Sequence, residues 1–186
     1  MKFTKSESSS GQPRGNQHLS RKRTLRRGCH YEPLTEDHHR YLWAAYRLGD
    51  LDELKPEPDL DPLKFKIWLL QATSDIREAD GELFMLFAKD HPIGFAIVAV
   101  TYPGGAKRQL IPHVVWFRHA TKRNRLECWL KLLCDIKSEG NVLIITAEPN
   151  WRFFYHLCKY GCIRAMGKFR GYGDAGQDAM MFQGVN

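Results

Sequence analysis

The stretch that most restricts the fold of this chain runs from residue 110 to residue 161 and alternates twice between strand and helix signals. Gln109 to Phe117 is an apolar run rich in β-branched and aromatic residues that stops at Arg118, His119, Ala120 and Thr121, a strand meeting a turn. Leu126, Trp129, Leu130 and Leu133 then recur at helical spacing, while Lys122, Arg123, Arg125, Lys131 and Lys137 fall mostly off that stripe. Thr121 is placed to cap this helix and Gly140 to end it. Asn141 to Ala147 is a continuous apolar run, the pattern of a strand covered on both faces, and Trp151 to Tyr160 forms a short aromatic helix closed by Gly161. A parallel strand pair crossed by a helix accounts for this order.

The rest of the folded part builds on that unit. His30 to Leu34 reads as a short first strand, and Thr35, Glu36, Asp37 and His38 open a helix whose buried stripe is Tyr41, Leu42, Ala45 and Leu48 before Gly49. Asp50 to Pro62 is acidic, carries three prolines and reads as a loop. Asp61 and Pro62 start a second helix, with Leu63, Ile67, Leu70 and Trp68 as its apolar face and its end near Thr73. Glu82 to Ala88 and Ile93 to Tyr102 read as strands joined by Lys89, Asp90, His91 and Pro92. Pro103, Gly104 and Gly105 turn the chain into the central strand, and Ile163 to Phe169 with Ala179 to Phe182 closes the order. The expected fold class is α/β (α+β): a mixed, mostly antiparallel sheet with one parallel pair and about four helices.

Strand, two helices, three meandering strands, helix, strand, helix and a final strand pair is the layout of the Gcn5-related N-acetyltransferase (GNAT) superfamily, which the chain resembles along its whole folded part. In that family the central strand leads into a loop and helix that grip phosphates, the next strand splays away, and the following helix carries Asn near its start and Gly at its close. Asn150 and Gly161, in AEPNWRFFYHLCKYGC, have the family's separation of eleven residues. The resemblance implies a site for acetyl-CoA and, in an active member, an acyl-CoA N-acyltransferase.

Three features depart from the family pattern. Leu157 stands where a tyrosine that protonates the leaving thiolate is usual, and Cys162 stands where Phe is usual. Tyr155 would point about 200° away around the helix from that tyrosine's direction. The family's phosphate loop reads Gln or Arg, two residues, Gly, one residue, Gly or Ala, and the comparable frame here, Arg123 to Cys128, contains no glycine. Side chains at both glycine positions obstruct close approach of a pyrophosphate to backbone N–H groups. Lys122, Arg123 and Arg125, with Asn150, are then the candidate cofactor-binding residues, holding phosphates by charge; charged residues at such positions are otherwise simply solvated.

His113 on the central strand is the candidate general base, since members of this fold often carry one there and a neutral imidazole suits the work near pH 7. His119 sits at the mouth of the same strand. A histidine among Val, Trp and Phe also has an ordinary use as a hydrogen-bonded core or rim residue. No metal site is expected: His38 and His39 are adjacent, and Cys158 with Cys162 lacks partners. Five cysteines with no Cys-x-x-Cys pair argue for free buried thiols in a reducing compartment.

Residues 1–28 form a separate region from the domain at 29–186. They carry a local net charge of +7, equal to that of the whole chain, so the domain is formally neutral. Ser, Gly, Gln, Pro and Asn separate the charges and almost no large apolar residue is present, so this basic arm cannot fold by itself. Arg21, Lys22, Arg23, Arg26 and Arg27 concentrate cations at a density suited to neutralising phosphates, so nucleic acid, bound without sequence preference, is the expected partner. A solubilising or merely flexible extension is the plain alternative. No apolar segment follows the charges, so no secretory signal and no membrane association are expected, and Gly11, Pro13 and Gly15 oppose a presequence helix.

The cationic, glycine-free helix start followed by Asn and Gly also resembles, over residues 80–186, the small acetyltransferase-like internal virion proteins of short-tailed phages. That resemblance implies a cytoplasmic or virion location, with other virion proteins as further partners. Two functions stay open from sequence: a non-catalytic, structural or nucleic-acid-associated module, and a divergent acetyl-CoA-dependent N-acetyltransferase.

Overall fold

The computed structural model describes residues 28–54, 56–102, 108–137, 141–147, 151–171 and 178–185. Asn150, Gly140 and the arm cations Arg21, Lys22, Arg23, Arg26 and Arg27 lie outside the described residues. In chain order the elements are β1 (Cys29–Pro33), α1 (His39–Arg47), α2 (Pro62–Glu78), β2 (Gly81–Ala88), β3 (His91–Thr101), β4 (Gln109–Trp116), α3 (Lys122–Ile136), β5 (Asn141–Ala147), α4 (Trp151–Cys158), β6 (Ile163–Phe169) and β7 (Ala179–Gly184), with short 3-10 turns before and after α1. This is the expected mixed α/β order, element for element.

The strands form one seven-stranded sheet in the order β1-β2-β3-β4-β5-β7-β6, antiparallel except where β4 meets β5. A two-residue turn at Lys89 and Asp90 joins β2 to β3, with Lys89 in the left-handed region at φ 55°. Gly94 lets β3 approach β4 closely, because a Cβ there would meet the Val115 carbonyl oxygen and the Trp116 backbone. Alternation along the strands divides the core in two. On one face α3 and α4 cover Leu86, Ala96, Val98, Leu110, Val142 and Ile144; on the other, α1 and α2 cover Met85, Phe87, Phe95, Val115 and Phe117.

The helices begin where their caps predict. Asp61 accepts a hydrogen bond from the Lys64 N–H (2.9 Å) with Pro62 in the first turn, and Thr121 accepts from the Asn124 N–H (3.2 Å). α2 departs from expectation twice. It continues to Glu78, because Thr73 bonds back to the Leu69 carbonyl (2.7 Å) and nothing in the sequence interrupts the helix before Asp80 and Gly81. Its buried face is Phe65 and Leu69, which join Trp43 and Tyr46, and not Leu63, Ile67 and Leu70, which are exposed. Two apolar stripes of the same period run along this helix, and tertiary contact chooses between them. Tyr46 fixes the choice by donating to the Glu57 carbonyl (2.9 Å) and accepting from the Leu60 N–H (2.7 Å), which anchors the loop just before α2. Leu48, expected in the α1 stripe, is exposed because the helix has already ended at Arg47.

Candidate cleft between the splayed strands

β4 and β5 share only two register pairs, Gln109 with Asn141 and Leu110 with Val142, before they separate. Each then follows its antiparallel neighbour: β4 stays with β3 as far as Trp116, and β5 with β7 as far as Ala147. The wedge between them is a cleft of about 1110 Å³. One wall comes from the start of α3 with Lys122, Arg123, Arg125 and Leu126, and another from α4 with Arg152, Phe153 and His156. Pro112, His113, Val114 and Trp116 line it from β4, and Ile144, Ile145 and Thr146 from β5.

Four sequence candidates are therefore brought together: His113, Lys122, Arg123 and Arg125. His113 is exposed and shares the parity of Val115 and Phe117 along β4. Arg123 pairs with Glu127 one turn on (Nε to Oε1 2.9 Å). Arg125 donates from Nε to the Ala120 carbonyl (3.0 Å), and its guanidinium lies 5.9 Å from the Trp116 ring centre, so it braces the loop ahead of α3. Lys122 makes no ion pair among the described residues.

The frame Arg123 to Cys128 lies wholly inside α3, in the helix expected from the Thr121 cap. The connecting loop is 117–121, and its last residue, Thr121, is the N-cap. The first-turn amides of Lys122 and Arg123 remain for an anion, while the Asn124 amide is held by Thr121. Arg118 is drawn off by Asp50, whose carboxylate accepts from its Nε (2.9 Å) and its backbone N–H (3.1 Å).

On α4, Phe154 and Leu157 face the core, Leu157 at 0% exposure, and Phe154 meets the Trp129 ring edge-on at 5.4 Å beneath the cleft. Tyr155 points away as its helical angle requires, against Phe182 and toward the Met180 sulfur. Trp151 donates from Nε1 to the Thr146 carbonyl (3.0 Å) and ties α4 to the end of β5. His119 lies in the turn after β4, with Nε2 2.7 Å from the Pro92 carbonyl and its ring 6.0 Å from that of Phe117. Arg152, His156 and Trp116 were not singled out from sequence; the signal was present in the four-residue spacing of Arg152 and His156 on the side of α4 opposite Leu157. Among the described residues the cleft is lined by four cations, two histidines and no carboxylate, so the field of these side chains favours anions.

Other polar clusters have structural explanations. A second cavity of about 440 Å³ surrounds His38, whose Nδ1 accepts from the Thr35 N–H (3.1 Å) while Nε2 meets Glu32 (2.9 Å), so both ring nitrogens are engaged. Cys134 and Cys162 sulfurs lie 3.5 Å apart as free thiols; burial, and then Cys134, push the Cys162 thiol up to about 11. Burial likewise raises Cys128 and Cys29. Among the described residues no three His, Cys, Asp or Glu side chains gather as a metal site would require, and no helix is long and apolar enough to cross a membrane.

A mixed sheet split at its one parallel joint, with a capped helix starting at the split, is the GNAT acetyltransferase fold. Solved structures agree with that assignment. The chain superposes on the microcin C7 self-immunity acetyltransferase MccE, in complex with acetyl-CoA and AMP, with a TM-score of 0.65 and 9% identity over 87% of this chain and 94% of that one. A probable GNAT-family acetyltransferase from Chromobacterium violaceum gives 0.62 and 18% over 85% and 83%. A ribosomal-protein-alanine N-acetyltransferase from Brucella melitensis gives 0.58 and 14% over 84% and 99%. No protein-family model matches the sequence, and no curated protein matches it.

Proposed function

We propose that the cleft binds a coenzyme A thioester and that the chain transfers its acyl group to an amine. The observation that carries this reading is the cluster of four cations in the cleft opened by the two-pair joint and ended by the capped start of α3. The donor set suits the phosphates of such a ligand: two first-turn amides with Lys122, Arg123 and Arg125 beside them. No glycine is needed if side-chain charge replaces close backbone approach. Similar folds in complex with acetyl-CoA, such as MccE, support the same ligand class.

When bound, the thioester supplies an activated acyl carbon. His113, on β4, takes the proton of the incoming amine at a ring nitrogen. His156, on the α4 wall, carries a ring proton toward the departing sulfur, a role that the buried Leu157 beside it cannot fill. Much of the rate comes from holding the two substrates in register.

Calorimetric titration of the full chain with acetyl-CoA, followed by an acyl-transfer assay against a panel of amines, tests the proposal. Micromolar binding is expected, weakened about tenfold by Lys122→Ala or Arg123→Ala. Silence at millimolar ligand overturns it. A second reading rests on Leu157, at 0% exposure where the family carries its tyrosine: a fold that binds the ligand, or is kept for its shape, without turnover. Binding with no transfer to any amine, and none lost on His113→Ala, selects that reading. The basic arm then carries the function as a non-specific nucleic-acid contact, of a kind suited to a protein packaged beside a phage genome, and its binding should fall steeply with salt.

A further inference from the structure

The outer face of α2 is the part of the molecule that the proposed function does not use. Leu63, Ile67 and Leu70 are 69%, 60% and 44% exposed, and at a spacing of four and then three residues they form one stripe. Phe65 and Leu69 occupy the roughly opposite side and are buried in the α1 and α2 core. A helix apolar on two opposite sides buries one in its own domain and leaves the other for a partner, since an aliphatic stripe in water has no compensating contact.

Charge identifies the partner. Lys64 and Asp75 lie on the same flank of the stripe, one near each end of the helix, about 16 Å apart along the axis. Their present contacts are local: Lys64 Nζ is 3.9 Å from Asp61, and Gln71 donates to Asp75 (2.7 Å). In an antiparallel pair of α2 helices related by a two-fold axis, like flanks face each other, so each Lys64 comes within a turn of the other copy's Asp75. The same register sets Ile67 against Leu70, twice, and Leu63 against the small Ser74. Glu78, held by Ser74 (3.2 Å), stays at the rim. This is the anatomy of a small isologous interface, with an aliphatic centre and charge pairs at its edge.

We propose that this chain self-associates as a two-fold dimer through the outer stripe of α2, with Leu63, Ile67 and Leu70 at the centre and reciprocal Lys64 and Asp75 pairs. The proposal does not depend on the cleft. Sedimentation velocity on the full chain over a hundredfold dilution is expected to show a reversible shift from dimer to monomer mass. Ile67→Asp should hold the chain monomeric at every concentration while its melting temperature, extrapolated to low concentration, is unchanged. Lys64→Asp should weaken association about tenfold, and Lys64→Asp combined with Asp75→Lys should restore it. A monomer at all concentrations, a dimer indifferent to Ile67→Asp, or a double variant no better than Lys64→Asp alone overturns the proposal. A lowered melting temperature for Ile67→Asp with monomer mass throughout also overturns it, and assigns the stripe to a cover within the same chain.

Discussion

α2 and α3 lie on opposite faces of one sheet and are built from similar materials, yet they use their outer sides in opposite ways. α3 turns Trp129, Leu132, Leu133 and Ile136 inward, and its exposed residues, Lys122 and Arg123, are cations on the wall of the cleft. α2 turns Phe65 and Leu69 inward and presents Leu63, Ile67 and Leu70 outward. The difference teaches that an apolar stripe at helical spacing shows where a helix is apolar, not which side meets the core. That is settled by the partner: a branched-chain floor and Phe154 under α3, a cluster of aromatic rings under α2.

The sharpest way to break this comparison is to truncate both sides of each helix. Phe65→Ala removes a ring wedged between Trp43, Tyr46 and Trp68 and should cost about 3–5 kcal/mol in denaturant unfolding, whereas Leu63→Ala should stay within about 0.5 kcal/mol in the dilute monomer. A large loss from Leu63→Ala would mean that the outer stripe is core after all. Next come the caps, where the two helices should behave alike: Asp61→Ala and Thr121→Ala are each expected to lower stability by about 1 kcal/mol. Only the second should also alter acetyl-CoA binding, because it frees the Asn124 amide at the cleft.

The smallest expected difference is one of pH. α3 carries Cys128 and Cys134 on its inner side, and α2 carries no cysteine. The Cys162 thiol against Cys134 is raised from its ordinary 9.0 to about 11, so the fold favours the neutral form. Its contribution is complete below pH 9.0 and is lost as the pH climbs toward about 11. Melting temperatures across that window should therefore fall less steeply in Cys162→Ala than in the parent chain; equal slopes would remove the thiol from the account.

The succession of elements was legible because each run had the length and period of one element only: Asn141 to Ala147 is apolar at every position but Asn141 and Thr146, and no helix of that length would be closed so soon. The α3 cations were legible as candidates because three of them fall within four residues at the helix start. The start of α3 was legible because Thr121, a capping residue, stands just ahead of the apolar stripe. Arg152, His156 and Trp116 escaped notice. Each lies in an element whose apolar residues dominate its pattern, and only the splay of β4 from β5 gives these side chains a common space.

That joint has a consequence for motion. Eight register pairs hold β4 to β3 and five hold β5 to β7, but two hold the halves together, so the sheet is two stiff plates on a narrow seam. Each plate should open to solvent as its own cooperative unit, with amide exchange rates shared within a plate and differing between them. Any molecule seated across the seam fastens both plates at once, and its arrival would be registered as slowed exchange on β1 and β6, the strands farthest from it.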